Sequence, residues 1–457
     1  MHKFLLLFIL IICFWLRLLF LSPWLEDWDS VQFALAIHDF SISEHQPHAP
    51  GYPIYVLLAR FFYVFTQNDT LALTLLSATF GTATIIPLYL ITKHFFGKFS
   101  AFTATALFTV IPIGWMMSIS ALTNMPGLFF LTLWAYLILV WAKTPKKLLL
   151  TSFFGGLILG VRFTELPIIL AILIFVLLRN EPKHFIRGIL SFILGVLTWL
   201  GPLIFKTGLH EFIESYTWIA NYVIIHDSHL DNRIERLIYL LKIGYTQYFL
   251  IASLMAFIWV FLNKKFWTEL KYQLIIIWLV AYSVPLTFIY NLEVPRYTLP
   301  LLPPLVILVA TFTSSIIKRS LVRIFMLIIL ASVMFYEGFS QVKSFSNSLP
   351  PTIAAVNYVR DNFKPEDTLI ITTFSYRQFQ YYAPNFKVFY GDEINALDIP
   401  QDKTVIIDYS GLKNEVGALS SLTTVESKTF LGNRDIFPRI SELTLYILRG
   451  ENYGSAE

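Results

Sequence analysis

Residues 4–21 read FLLLFILIICFWLRLLFL, and the residues after them read SPWLEDWDS, closing on Glu26-Asp27-Trp28-Asp29-Ser30. An apolar run broken by a single charge, Arg17, matches the roughly 20 residues that carry an α-helix across the hydrocarbon core of a bilayer. That run empties directly into carboxylates, which marks where the chain leaves lipid for water. The remaining sequence fits the same setting. Of 457 residues, 56% are hydrophobic and only 14% charged, whereas a soluble domain carries roughly 25% charged residues. The polar surface is too small to face water on all sides, so the fold class is an α-helical polytopic membrane protein. A net charge of +4 gives no electrostatic argument for nucleic acid. The lone cysteine, Cys13, excludes an intrachain disulfide and cysteine-based zinc chemistry.

Working outward, apolar runs of spanning length recur at Leu71–Thr92, Phe99–Ile119, Met125–Trp141, Ile186–Phe205, Tyr245–Leu262, Tyr272–Tyr290, Leu299–Ile316 and Leu321–Gly338. Tyr52–Phe65 is apolar but short, and Leu148–Leu178 is too long for one span and carries Arg162 and Glu165 near its middle. Short cytoplasmic loops are enriched in Lys and Arg. If Tyr52–Phe65 stays at the interface and Leu148–Leu178 is a hairpin of two helices, the basic loops fall on one side, from Lys93/Lys98 to Lys318/Arg319/Arg323. The expectation is therefore about eleven spans, with the N-terminus cytoplasmic and the first span retained rather than cleaved. Acidic residues then gather on the outer face. After Gly338 the pattern changes: a helix at Thr352–Asn362, strands at Thr368–Thr373, Lys387–Tyr390 and Thr404–Asp408, and a helix at Tyr376–Tyr382 predict a small α/β domain outside the membrane. The expected division is residues 1–338, a transmembrane domain with its first outer loop at 23–70, and residues 339–457, the extracytoplasmic domain.

The densest polar chemistry lies in that first loop. Asp27 and Asp29, at the exit of the first span, can hold a divalent cation, take a proton from an attacking hydroxyl, or simply be solvated. His45 and His48 flank a proline-rich turn; their spacing suits Zn²⁺ or Mn²⁺, and equally suits hydrogen bonding to the loop or a substrate. Pro47, Pro50, Gly51 and Pro53 exclude a continuous helix here, and an interfacial helix follows at Ile54–Phe65. Arg162 and Glu165, three apart, are placed at the outer turn of the hairpin. Arg296, beside Glu293, is a phosphate candidate because guanidinium pairs with phosphate bidentately. The outer segment His210–Lys242 reads as interfacial helices and a loop able to cover a site.

Asp29-Ser30-Val31-Gln32-Phe33-Ala34 after the first span, followed by His48-Ala49-Pro50-Gly51-Tyr52-Pro53 opening a juxtamembrane helix, resembles the GT-C glycosyltransferases. Within them it is similar to the protein mannosyltransferase and aminoarabinose transferase group, glycosyltransferase family 39-like. Arg296-Tyr297-Thr298-Leu299-Pro300 resembles that group's Arg-Tyr-x-x-Pro element, and the likeness extends over residues 1–338. Two positions depart: Ser30 stands where protein mannosyltransferases have glutamate, and Asn124 stands where many relatives have aspartate after Thr123.

The resemblance implies a GT-C-like membrane domain that transfers a hexose or pentose from a polyprenyl-phosphate donor, with inversion, to a protein, lipid or glycan hydroxyl outside the cytoplasm. Asp29 would be the base and Asp27 the other arm of the acidic motif, the two also being the candidate ligands of a cation such as Mg²⁺, Mn²⁺ or Zn²⁺. His45, His48, Tyr52, Arg162, Glu165, Arg296 and Tyr297 would bind substrate. The setting implied is a bacterial inner membrane. Two other classes compete. A transporter or flippase for a lipid-linked sugar predicts repeat symmetry and charges along a mid-membrane path, and a receptor-like assembly protein predicts indifference to loss of the first-loop acids. The gathering of polar groups at one face, with no apparent internal repeat, favours the transferase.

Overall fold

The computed structural model describes residues 2–227, 232–290, 292, 294–391, 402–415 and 419–450. They form two compact units, one of Met1–Pro23 and Ala36–Ser346, the other of Trp24–Leu35 and Asn347–Glu457.

The first unit is helical and built to span a membrane. Among the described residues six helices are long and apolar enough to cross, or seven if the pair Arg233–Tyr245 and Gln247–Leu262, bent by 109°, counts as one. The expected eleven spans are not matched by eleven helices of full spanning length. The shortfall has a local cause. Leu148–Leu178 breaks into Pro145–Leu157 and Leu166–Leu177, separated by short 3-10 turns at Ile158–Gly160 and Phe163–Glu165. Conversely, the apolar stretch Asp69–Val110 runs as Asp69–Ala83 followed closely by Ile85–Val110, which is interrupted at Gly97. Gly97 has φ +85° with open space around its Cα, so the backbone conformation, not crowding, calls for glycine.

Close packing depends on small residues. A Cβ on Gly156 would lie 2.0 Å from the Phe192 carbonyl oxygen, and one on Gly195 2.0 Å from that of Phe153. The helices Pro145–Leu157 and Pro182–Thr207 therefore cross with their backbones nearly touching, as helices in lipid do where small residues meet. Arg17, in the first helix, is fully buried. Its guanidinium donates to the Thr109 carbonyl at 2.8 Å and lies 5.7 Å from the Trp115 ring, while its Nε makes no hydrogen bond among the described residues.

The second unit holds a five-stranded sheet: β1 (Thr368–Thr372), β2 (Lys387–Tyr390), β3 (Thr404–Ile407), β4 (Thr423–Leu431) and β5 (Glu442–Arg449), in the order β2-β1-β3-β5-β4. β1 is parallel to β2 and β3, and β5 is antiparallel to β3 and β4. β1 is buried along its whole length, as its unbroken TLIIT run requires of a central parallel strand. Val356, Val359, Ile370, Phe379, Ile406 and Leu445 fill one core, and Leu369, Ile371, Val405, Ile407 and Leu448 the other. β4 has almost no buried position and reads TTVESKTFL, which is why an edge strand there escapes a reading based on apolar runs.

At the end of β3 the Asp408 carboxylate accepts hydrogen bonds from the Thr373, Phe374 and Ser375 amides and from the Ser375 hydroxyl, at 2.7–2.9 Å. Burial pushes this carboxyl above its ordinary value, and the four bonds pull against that shift.

Candidate functional site

The first-loop acids lie in the second unit. Residues Trp28–His38 form a helix that sequence reasoning missed, and its start is built by the acidic motif itself. Asp27 Oδ1 accepts the Asp29 amide at 3.0 Å, the Asp27 amide donates to Ser30 Oγ at 3.2 Å, and Ser30 Oγ donates to the Asp27 carbonyl at 2.6 Å. This is a reciprocal N-terminal cap in which serine takes the place usually held by Glu or Gln. It gives Ser30, a departure from the mannosyltransferase pattern, a structural reason. Asp29 falls in the first helical turn, where a carboxylate complements the exposed amide dipoles, and it is partly exposed.

The segment is tied to the sheet unit at three points. The Leu25 amide donates to the Tyr382 hydroxyl at 2.9 Å, Gln378 Nε2 to the Glu26 carbonyl at 3.0 Å, and the Trp28 indole N–H to the Phe374 carbonyl at 2.9 Å. The Trp28 ring also packs edge-on against Tyr390, at 5.9 Å between centroids.

The remaining candidates lie in the membrane unit and fall into two groups. His48 Nε2 is 3.2 Å from the Tyr52 hydroxyl, whereas the His45 ring packs on Trp218 at 4.7 Å. The two imidazoles thus engage different partners. A cation site needs several donors converging on one point, and the described residues contain no group of three or more His, Cys, Asp or Glu so arranged. Asp27 Oδ1 caps a helix. Among the described residues no such group of three forms around Asp27 and Asp29, the expected cation ligands.

The second group is a buried polar cluster. Arg162, Glu165 and Arg296 are 5%, 2% and 6% exposed, deep enough to be shielded from water. Arg162 donates to Thr123 Oγ1 at 2.8 Å, and the next residue, Asn124, donates its amide to the Arg296 carbonyl at 3.3 Å. Thr123–Asn124 thereby joins the two arginines. An aspartate at 124 has no proton to give that carbonyl, so the asparagine suits the contact it makes. Gly127, one turn along the same helix, faces both charges: a Cβ there would lie 2.7 Å from Arg162 Cδ and from Glu165 Oε1.

Three tyrosines close the cluster. Tyr290 donates to the Thr164 carbonyl at 2.8 Å and lies 5.6 Å from the Tyr282 ring and 6.0 Å from that of Tyr297. The Arg296 guanidinium lies 5.5 Å from the Tyr297 ring. Arg162 Nε, Glu165 Oε1 and the Tyr282 hydroxyl are buried and make no hydrogen bond among the described residues. Arg233 caps the end of the neighbouring helix, donating to the Thr287 and Tyr290 carbonyls at 2.7 and 2.6 Å. Gly127, Tyr282 and Tyr290 were not singled out from sequence; the available signal was hydroxyl-bearing aromatics within a run otherwise fit for lipid. His229, Asp231 and Glu293 lie outside the described residues.

Residues 47–204 match a family model described as dolichyl-phosphate-mannose-protein mannosyltransferase. The fold is similar to that of ArnT from Cupriavidus metallidurans bound to undecaprenyl phosphate, with a TM-score of 0.59 at 12% identity over 97% of each chain. It is also similar to the Archaeoglobus fulgidus oligosaccharyltransferase tethered with an acceptor peptide, with a TM-score of 0.54 at 12% identity over 84% of this chain and 64% of that one. That enzyme has also been solved in complex with Zn and sulfate. The arabinofuranosyltransferase AftD from Mycobacteria matches with a TM-score of 0.51 at 12% identity, over 98% of this chain and 40% of its own. No curated protein sequence matches the chain. Together, the family model and these structures define the class: the chain has the fold of the GT-C glycosyltransferases, and the resemblance to the protein mannosyltransferase and ArnT group stands.

Proposed function

We propose that this protein is a membrane glycosyltransferase that moves a hexose or pentose from a polyprenyl-phosphate carrier to a protein, lipid or glycan hydroxyl outside the cytoplasm. The observation that carries this reading is the pair of buried arginines held at Thr123–Asn124, Arg162 by its side chain and Arg296 by its backbone carbonyl, in a fold whose relative ArnT binds undecaprenyl phosphate. Guanidinium groups shielded from water interact with phosphate far more strongly than exposed ones do. Unpartnered buried groups such as Arg162 Nε are costly unless a ligand satisfies them.

In the reaction, Asp29 accepts the proton of the acceptor hydroxyl and the freed oxygen attacks the anomeric carbon from the face opposite the carrier. The carbon–oxygen bond to phosphate breaks, its electron pair leaves with polyprenyl phosphate, and the configuration inverts. Arg162 and Arg296 stabilise the charge gathering on that phosphate, electrostatic help placed where charge develops. Tyr297, His45, His48, Tyr52 and Glu165 orient the substrates. Basic cytoplasmic loops and acidic outer ones support a cytoplasmic N-terminus and an extracytoplasmic C-terminal unit, in a bacterial inner membrane.

Two measurements test the reading. Purified protein in nanodiscs is expected to bind undecaprenyl phosphate, and Arg296→Lys to bind it about tenfold more weakly, since lysine cannot make the bidentate contact. Equal affinity in the folded variant removes Arg296 from the phosphate site. With a polyprenyl-phosphate-linked sugar in reconstituted vesicles, near-normal turnover by folded Asp29→Asn eliminates Asp29 as base.

A further inference from the structure

We infer that the α/β unit is the mount of the first-loop acids, and that Asp408 and Trp28 are positioning residues for Asp29. The chain of contacts is continuous. Asp408 is 5% exposed, and its Oδ1 accepts from the Thr373 amide at 2.7 Å. Its Oδ2 accepts from the Phe374 amide at 2.9 Å and from the Ser375 amide and hydroxyl at 2.8 Å. One carboxylate thus orients successive peptide planes in the turn that follows β1. The Phe374 carbonyl of that turn takes the Trp28 indole proton at 2.9 Å.

The turn leads straight into the helix Tyr376–Tyr382, which supplies the other two anchors, Gln378 to the Glu26 carbonyl and Tyr382 to the Leu25 amide. Leu25, Glu26 and Trp28 flank Asp27, and the Asp29 amide rests on the Asp27 carboxylate. Three hydrogen-bonded anchors of the acidic motif therefore trace to one turn and the short helix it opens, and Asp408 holds that turn. A bond network serving the sheet alone has no need to reach residues 24–35, which are remote in sequence and contribute no strand.

The consequence for catalysis rests on Asp29 being the base, but the mounting itself is testable without turnover. The experiment is amide hydrogen exchange on the full chain in nanodiscs, comparing Asp408→Ala, Asp408→Asn and Trp28→Phe with the parent. Trp28→Phe keeps a ring against Tyr390 and removes only the N–H. Exchange across residues 24–35 is expected to rise about tenfold in Asp408→Ala and roughly threefold in Trp28→Phe, while β3, β5 and Leu302–Ile316 stay unchanged. Asp408→Asn, retaining one acceptor oxygen, should fall between Asp408→Ala and the parent. Where transfer is assayed, kcat falls about tenfold at constant donor KM, since a misplaced reacting group costs rate rather than binding.

Unchanged exchange at 24–35 in folded Asp408→Ala overturns the proposal, as does an equal rise across β3 and β5, which would make Asp408 a staple of the sheet. If Asp408→Ala does not fold, Trp28→Phe decides by the same criterion. Full turnover by Asp29→Asn would sink the catalytic reading and leave the exchange result standing, so the two failures are distinguishable.

Discussion

The acidic motif at Asp27–Asp29 and the arginine cluster around Arg162 and Arg296 are held in opposite ways. The acids are partly exposed, on the first turn of a helix, and their positions are set through backbone amides and carbonyls. The arginines are buried, and one of them bonds through its side chain to Thr123 inside the membrane unit. The difference fits the roles proposed for the two groups. A base exchanges a proton with an incoming hydroxyl and has to stay reachable. A guanidinium keeps its charge throughout, so it loses nothing by burial and acts in a medium that screens it least.

This contrast can be broken at four points. The largest effect is expected from Asp29→Asn, which should lower turnover about 100- to 10,000-fold and leave undecaprenyl phosphate binding intact; assays of transfer and of binding read the two separately. Next comes Arg162→Ala, which removes the Thr123 bond and leaves Glu165 buried without the neighbouring cation. A loss of about 1–3 kcal/mol is expected, read by unfolding in detergent, with Arg162→Ala/Glu165→Ala recovering part of it. If the double variant is no better than the single one, the two side chains are not coupled.

Gly127→Ala forces a methyl group against both side chains and should cost about 1–3 kcal/mol by overpacking while weakening undecaprenyl phosphate binding. A stabilised variant would mean that the cluster yields easily. The smallest effect is that of Thr123→Val, which removes one acceptor and should cost about 1 kcal/mol without altering the exchange of residues 24–35. A change there would tie the arginine cluster to the acidic motif.

Much of the helical layout was legible in the sequence, as were several local details. The break in Leu148–Leu178, the helix expected at Ile54–Phe65 and found at Pro53–Thr66, and the strand–helix–strand run from Thr368 to Tyr390 all follow from patterns within a few residues. The helix Trp28–His38 was hidden because its starting residues read equally well as a metal motif, and only the Asp27–Ser30 bonds show them capping a helix. β5 was obscured by its exposed partner β4, whose polar alternation carries no core signal.

By itself the sequence determined that this is a membrane protein with a polar C-terminal segment, and it marked which residues carry unusual chemistry. Hydropathy over a span, glycine and proline breaks and loop charge are local quantities, and lipid punishes any departure from them. The tertiary structure alone decided which of those residues meet. Arg162 reaches Thr123 across 39 positions, Asn124 reaches Arg296 across 172, and Trp28 reaches Phe374 across 346. Contacts at such separations are selected by the packing of whole helices and strands, whose relative placement no local pattern of residues encodes.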